Sequence, residues 1–160
     1  MPTDIDRIEA ARAAFRTLRP RVEAGEPWPL ATAFGTEPEA SWGPREVLAH
    51  VEEMLPYWLG ELERVVDGPS GVAFGRIAEN DIRIGLIERE RTLPLRVLFD
   101  RIDAGLATWA VRCANLTDAE LASVGTHPSA GELAVAAMPE RFILGHIEGH
   151  IAQLEEILAR

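Results

Sequence analysis

Four long segments with the hydrophobic period of an α-helix constrain the fold of this sequence more than any other feature. Their apolar residues recur every three or four positions, whereas the alternation of apolar and polar residues that is typical of strands is nearly absent. The segments are 4–24, 41–66, 93–116 and 135–159. Four amphipathic helices in 160 residues predict an all-α four-helix bundle, formed by a single domain over residues 1–160.

Capping residues and prolines define the expected limits of the first two helices. Thr3 or Asp4 can cap the first helix, and Pro20 should bend or end it. Pro44 suits the first turn of the second helix, in which Pro56 predicts a kink. The chain between these two helices is rich in proline and glycine and predicts a loop.

The connection between the second and third long helices is long and holds one short helical piece near 79–89. Helices joined by a long crossover can lie parallel, whereas a short turn forces antiparallel neighbours. The predicted order of the four helices is therefore up-down-down-up. The segment 116–132, before the last helix, predicts a loop with a single helical turn at 118–121.

Charge and hydropathy exclude several classes of partner. A formal net charge of −10 disfavours nucleic acid and anionic membranes as main partners. No basic stretch followed by an apolar run indicates a secretion signal, and no apolar run approaches the roughly 20 residues that cross a bilayer. Cys113 is the single cysteine, which fits a reducing compartment. We therefore expect a cytoplasmic protein that acts on a small molecule.

Two histidines interrupt the apolar face of the last helix. At a spacing of four residues this face consists of Phe142, His146, His150, Leu154 and Leu158. A single histidine in such a face is more often a core residue with satisfied hydrogen bonds. Two neighbouring ones are harder to satisfy, because each buried ring nitrogen needs a partner. The pair therefore favours a shared partner.

His50 is a third candidate, at the edge of the apolar face of the second helix. Across a bundle it can meet His146 and His150. Three neutral imidazoles form a ligand set for a divalent ion, with zinc first and nickel or iron next. The fourth coordination position would be left to water or substrate. The glutamate spacings of zincins, inverted zincins and di-iron bundles do not occur around these histidines.

Gly145 and Gly149 each precede one histidine of the last helix. Glycine in a helix interior costs about 0.5–1 kcal/mol relative to alanine. Two interpretations stay open, with slight preference for the first. Either the glycines let a neighbouring helix approach closely, or they leave room for substrate beside the open coordination position.

The remaining candidates are assigned to packing. Cys113 is expected to be a buried small residue. His127 is expected to be a loop histidine, although its loop leads into the last helix and could cover the site. The expected core tryptophans are Trp42, Trp58 and Trp109.

Three stretches of the sequence support a resemblance to a known family. They are SWGPREVLAHVEEM, GELAVAAMPERFILGHIEGHIAQLEEIL and the intervening ENDIRIGLIERERTLPLRVLFDRI. On these stretches the chain resembles the DinB superfamily, including its YfiT-like and mycothiol-dependent isomerase relatives. The resemblance implies an up-down-down-up bundle with a three-histidine metal site, and it implies frequent homodimers. It carries the family's metal ligands onto His50, His146 and His150.

The resemblance also suggests a reaction. Characterised relatives include metal-dependent transferases that use low-molecular-weight thiols such as mycothiol or bacillithiol. A divalent ion with three neutral ligands keeps its positive charge and lowers the pKa of a bound thiol or water. The leading hypothesis is therefore a metal-dependent thiol S-transferase. A non-enzymatic, stress-related metal-binding bundle and a hydrolase are the alternatives, and the sequence identifies no catalytic base.

Overall fold

The structure is a computed structural model that describes residues 1–32, 34–35 and 38–160. Ala33, Thr36 and Glu37, which belong to the loop expected between the first two helices, lie outside the described residues. Helices lie in all four predicted segments, so the prediction of a mostly helical chain is confirmed. The α-helices of the described part are α1 (Asp4–Ala24), α2 (Pro44–Asp67), α3 (Asp81–Glu90), α4 (Leu95–Asn115), α5 (Asp118–Leu121) and α6 (Gly145–Leu158).

α1 starts at an expected cap, Thr3, and both α1 and α2 continue through their internal prolines. The Thr3 hydroxyl accepts a hydrogen bond from the Asp6 N–H at 3.1 Å, and the Asp6 carboxylate accepts one from the Thr3 N–H at 2.9 Å. α1 runs past Pro20 to Ala24, so the expectation that this proline could end the helix is wrong. The buried Val22 beyond it explains the continuation, because its burial stabilises the last turn.

The start of α2 is tied to the preceding loop by a buried carboxylate. Glu46 is fully buried, and its Oε1 accepts hydrogen bonds from the N–H groups of Gly43 at 3.1 Å and Ala31 at 3.3 Å. A 3₁₀ turn, Glu39–Ser41, lies between these two anchor points. The loop is thereby held against the beginning of α2, which fixes where Glu39 lies.

The last predicted helix is three helical pieces of different kinds. A 3₁₀ turn (Val135–Ala137) leads into a π-helical segment (Pro139–Leu144), and α6 begins only at Gly145. The prediction of one regular helix over 135–159 is therefore wrong in its first half. The apolar period could not reveal this difference, because segments of three and six residues are too short to show a period other than that of an α-helix.

A small sheet replaces part of the loop predicted over 116–132. Its strands are β1 (Val72–Ala73), β2 (Val124–His127) and β3 (Gly131–Ala134). β1 pairs with β2 in parallel, and β2 pairs with β3 antiparallel in the register Val124↔Ala134. Strands of two to four residues are too short to show alternation, so the strictly all-α prediction missed them.

The core lies between α1, α2, α4 and α6. Trp42, Trp58 and Trp109 are buried as expected, and the Trp109 indole N–H donates to the Leu55 carbonyl at 2.9 Å. No helix of the described part is both long and apolar enough to cross a membrane. The largest fully buried side chains are Trp109, Ile8, Leu18, Leu48, Met54, Leu55, Leu62, Ile87, Leu98, Ile102, Leu106 and Met138.

The packing of the sheet against α2 can be tested at Gly125. A Cβ there would lie 2.7 Å from both Phe74 Cδ1 and Val65 Cγ2, whereas a Cβ at Gly60 in α2 meets no atom within 4 Å. We expect Gly125→Ala to lower the free energy of unfolding by about 1–3 kcal/mol through overpacking. Gly60→Ala should raise it by up to about 1 kcal/mol. Urea denaturation measures both, and equal effects would contradict the close packing of β2.

Candidate metal centre

Three histidines from two helices meet at one point of the bundle. α2 contributes His50, and α6 contributes His146 and His150, which are one helical turn apart. The Nε2 atoms of His50 and His146 are 2.9 Å apart. The ring centroids lie 4.6 to 5.2 Å from one another. The structure thus brings together the three residues that the sequence analysis selected as ligands.

Glu39 joins this cluster and was missed by the sequence analysis. Its Oε1 lies 3.8 Å from His50 Nε2, and its Oε2 lies 3.7 Å from His146 Nε2 and 3.6 Å from His150 Nε2. One potential ligand atom from each of the four residues lies within 4.8 Å of all the others. Glu39 begins the 3₁₀ turn Glu39–Ser41, which has no helical spacing to the histidines, so no sequence period indicates it.

Gln153 orients two members of the cluster at once. Its Oε1 accepts a hydrogen bond from His150 Nδ1 at 2.9 Å, and its Nε2 donates to the Glu39 carbonyl at 2.8 Å. The first bond requires a proton on Nδ1 of a neutral His150, which leaves the Nε2 lone pair free toward the cluster. Hydrogen bonds of this kind fix the tautomer and orientation of metal-ligating histidines.

Loss of solvent around the rings favours the neutral form of the three imidazoles, although the side chain of His146 is still 38% exposed. This loss is the main cause of the lowered pKa of His50, His146 and His150. The positive charge of Arg83 lowers the pKa of His50 further. Neutral rings offer lone pairs, which is the form that binds a metal.

Glu39 keeps a negative charge beside these rings. Burial alone would raise the pKa of its carboxyl group, but the positive charges of any protonated neighbouring histidine and of Arg83 lower it on balance. Arg83 also forms an ion pair with Glu39, in which Arg83 Nη2 lies 2.5 Å from Glu39 Oε1. This carboxylate therefore places a negatively charged oxygen beside three neutral nitrogen donors.

Two ring nitrogens of the cluster have unmet hydrogen-bonding capacity. His150 Nε2 and His50 Nδ1 are buried and have no hydrogen-bond partner within the described part of the chain. A buried ring nitrogen without a partner costs about 1–3 kcal/mol. A divalent ion would satisfy His150 Nε2, and three imidazoles with a negative charge beside them suit zinc, nickel or iron. The residues present therefore fit a metal ion.

The histidines of the cluster border two cavities in the described part of the chain. One, of about 150 Å³, is lined by His50, His146 and Glu39 together with side chains of α2 and the π-helical segment. The other, of about 570 Å³, is lined by Glu39, His146 and His150 together with Gly145 and Gly149. Glu39 and His146 border both cavities. Glu39 also borders a third cavity, of about 530 Å³, which none of the three histidines lines. Two cavities of the described part therefore reach the same histidine, His146.

The glycines of α6 face open space. Among the described residues, a Cβ at Gly149 would meet no atom within 4 Å, and one at Gly145 would meet only Glu140, at 3.8 Å. The preferred expectation that a neighbouring helix packs closely against them is therefore wrong. Within the chain, both glycines instead line the larger cavity.

His127 and Cys113 lie outside the cluster. His127 is buried in β2, where its Nδ1 accepts hydrogen bonds from the N–H groups of Ser129 and Ala130, both at 3.1 Å. The expectation of a loop histidine is thus corrected. Cys113 is half-buried in α4, and burial raises the pKa of its thiol to about 11. The thiol is therefore protonated at neutral pH and not activated as a nucleophile.

The fold is shared with a solved structure. The chain is similar to a solved structure described as "YfiT from Bacillus subtilis is a probable metal-dependent hydrolase with an unusual four-helix bundle topology". The TM-score is 0.70 at 16% sequence identity, over 98% of this chain and 86% of that one. The resemblance to YfiT-like proteins is thus confirmed at the level of the fold. Neither a scan against protein-family models nor a search of curated proteins gave a match.

The orienting role of Gln153 can be tested with two matched variants. Gln153→Leu removes both hydrogen bonds and should weaken zinc binding by about 10–100-fold. Gln153→Glu keeps an acceptor for His150 Nδ1 and should lose less affinity. Competition with a chromophoric chelator measures the zinc dissociation constants of both variants. Wild-type affinity in Gln153→Leu would contradict this role.

Proposed function

We propose that His50, His146 and His150 hold one divalent ion, with zinc first and nickel or iron next. We further propose that the chain is a metal-dependent thiol S-transferase. Its substrates would be a low-molecular-weight thiol such as mycothiol or bacillithiol and a small electrophile. The convergence of four metal-ligating groups supports the first part of this proposal. The pair of cavities supports the second.

Two cavities at one cluster match the needs of a two-substrate reaction. A transferase must hold a nucleophile and an electrophile beside the same reactive centre. His146 and Glu39 border both cavities, so a molecule in each would meet at these side chains. The larger cavity, bordered by Gly145 and Gly149, is assigned to the thiol, and the smaller one to the electrophile. This arrangement is the single observation that carries the transferase proposal.

Glu39 is the candidate proton acceptor. When bound, a divalent ion supplies a positive charge that lowers the pKa of an adjacent thiol or water. The proton released has to be taken up nearby, and Glu39 Oε2 lies 3.7 Å from His146 Nε2, where both cavities meet. Arg83 holds the other carboxylate oxygen, Oε1, which keeps Oε2 directed at the histidines. Gln153 holds the Glu39 backbone in place.

Hydrolysis is the second candidate, and the same carboxylate favours it. A glutamate beside a metal site can act as the general base for water, as in metal-dependent hydrolases. The solved structure with the same fold is described as a probable metal-dependent hydrolase. Hydrolysis, however, uses one organic substrate and leaves the second cavity without a role. A non-enzymatic metal-binding bundle is the remaining alternative and predicts no turnover.

The proposed up-down-down-up order of α1, α2, α4 and α6 has support from ion pairs between helices. Arg7 near the start of α1 pairs with Glu148 near the start of α6, and Arg21 near the end of α1 pairs with Glu155 at 2.8 Å. These contacts support the same direction for α1 and α6.

Ion pairs also support a common direction for α2 and α4. Arg101 pairs with Glu52 at 3.1 Å, and Arg112 pairs with Glu63 at 2.5 Å, so the two helices advance together. Four helices with these directions would close one domain around the histidine cluster. A homodimer and a cytoplasmic location also belong to this proposal.

The substitution Gly149→Leu separates thiol access from metal binding. A leucine there would project into the larger cavity while leaving His146 and His150 intact, so zinc content should stay at the wild-type level. Thiol binding, followed through the charge-transfer absorption of the cobalt-substituted protein, should be lost. Gly60→Leu, on the exposed side of α2, is the matched control. Normal thiol binding by Gly149→Leu would remove the larger cavity from the site.

Thiol transfer itself is tested by conjugation of mycothiol or bacillithiol to a chromogenic electrophile. Zinc-reconstituted protein should accelerate the formation of the thioether, and a chelator should abolish the acceleration. Hydrolysis of a chromogenic ester is measured in parallel. Ester hydrolysis without thiol transfer would favour the hydrolase, and neither activity in fully loaded protein would favour the non-enzymatic bundle.

A further inference from the structure

The smaller cavity combines an aromatic wall with positive charge. Trp58 and Phe142 stack with 4.1 Å between ring centroids and 7° between ring planes, and both line the cavity. Met54 adds a further apolar contact surface. Three arginines line the same cavity, namely Arg76, Arg83 and Arg141. A ligand that fits this lining has an apolar body and a negative charge.

Two of the three arginines are already neutralised. Arg76 pairs with the buried Glu53, and its guanidinium lies over the ring of Tyr57, 3.8 Å from the centroid. Arg83 pairs with Glu39 and also donates to the Ala78 carbonyl at 3.0 Å. These two arginines therefore add little net attraction for an anion.

Arg141 is the third arginine of this cavity, and its positive charge is not neutralised by an ion pair with any described residue. In the part of the chain that the structure describes, no carboxylate pairs with its guanidinium and no carbonyl accepts a hydrogen bond from it. It belongs to the π-helical segment (Pro139–Leu144), directly before Phe142 and five residues before His146. One irregular segment thus carries a free cation and an aromatic wall next to a histidine of the candidate metal centre.

We propose that the smaller cavity binds a small organic carboxylate, held by Arg141 and packed against Trp58 and Phe142. The planar guanidinium matches a carboxylate with two parallel hydrogen bonds. The flat Trp58–Phe142 stack suits a planar unsaturated or aromatic body. The volume of about 150 Å³ limits the ligand to a molecule of about ten heavy atoms, the size of a benzene ring with one carboxylate.

The carboxylate subsite deepens the proposed function, and its role as the electrophile subsite rests on that function. A carboxylate on Arg141 would orient the rest of the molecule toward His146, where both cavities meet. The electrophile of the transfer would then be an unsaturated or aromatic acid. Binding of the acid, however, does not depend on transfer and can be measured alone.

Benzoate and its neutral isostere benzamide test the subsite in metal-free and in zinc-loaded protein. Calorimetry should show saturable binding of benzoate to both forms, about tenfold tighter than binding of benzamide. The indole N–H resonance of Trp58 should shift with the same saturation curve. Inorganic phosphate is titrated in parallel, and tighter binding of phosphate than of benzoate would overturn the assignment to a carboxylate.

Two variants decide whether Arg141 is the binding group. Arg141→Gln should lower benzoate affinity about tenfold, while Arg89→Gln, an exposed arginine that pairs with Glu90, should leave it unchanged. Arg141 has no partner to lose, so its variant is expected to fold normally. Equal benzoate affinity in both variants would overturn the proposal, as would equal binding of benzamide and benzoate by the wild type. Benzoate binding without thiol transfer would leave the subsite standing and reject the transferase.

Discussion

The convergence of three neutral imidazoles and one carboxylate is the constraint on which the rest of this structure depends. The two rings that are buried, those of His50 and His150, are costly unless a shared partner satisfies their nitrogens. The Nε2 atoms of His50 and His146 lie 2.9 Å apart. His150 Nε2 is buried and has no hydrogen-bond partner among the described residues. A bound divalent ion resolves this cost. These side chains therefore stabilise the core poorly on their own, but their arrangement suits the binding of a metal ion.

The irregular parts of the chain serve this cluster more than the regular ones do. Glu39 reaches the histidines from a 3₁₀ turn, which is anchored by the buried Glu46 and by Gln153 of α6. The π-helical segment before α6 carries Phe142 and Arg141 to the wall of the smaller cavity. On the other side, the missing side chains of two α6 glycines open the larger cavity. The regular helices position the histidines, whereas the 3₁₀ turn, the π-helical segment and the two glycines shape the cavities beside them.

The four helical segments could be predicted from the sequence because a helical period depends only on local spacing and repeats over many residues. The spacing of His146 and His150 on an apolar face required only the geometry of a helix. The small sheet was missed, because its strands are too short to alternate. Glu39 was missed because its contact with the histidines is purely tertiary, and Gln153 because its role depends on a tautomer. The open space at Gly149 was misjudged, since sequence spacing does not tell whether a neighbouring helix packs there.

Zinc binding by reconstituted protein tests the central claim most directly. Metal-free wild-type protein is dialysed against zinc, and bound metal is measured by elemental analysis together with the melting temperature. The account predicts one ion per chain and a melting temperature that rises with zinc, because only the native state binds it. His146→Ala should lose both the bound ion and the zinc-dependent rise, although it should fold without metal. A wild-type protein that binds no zinc, nickel or iron, or a His146→Ala variant with unchanged metal content, would contradict the account.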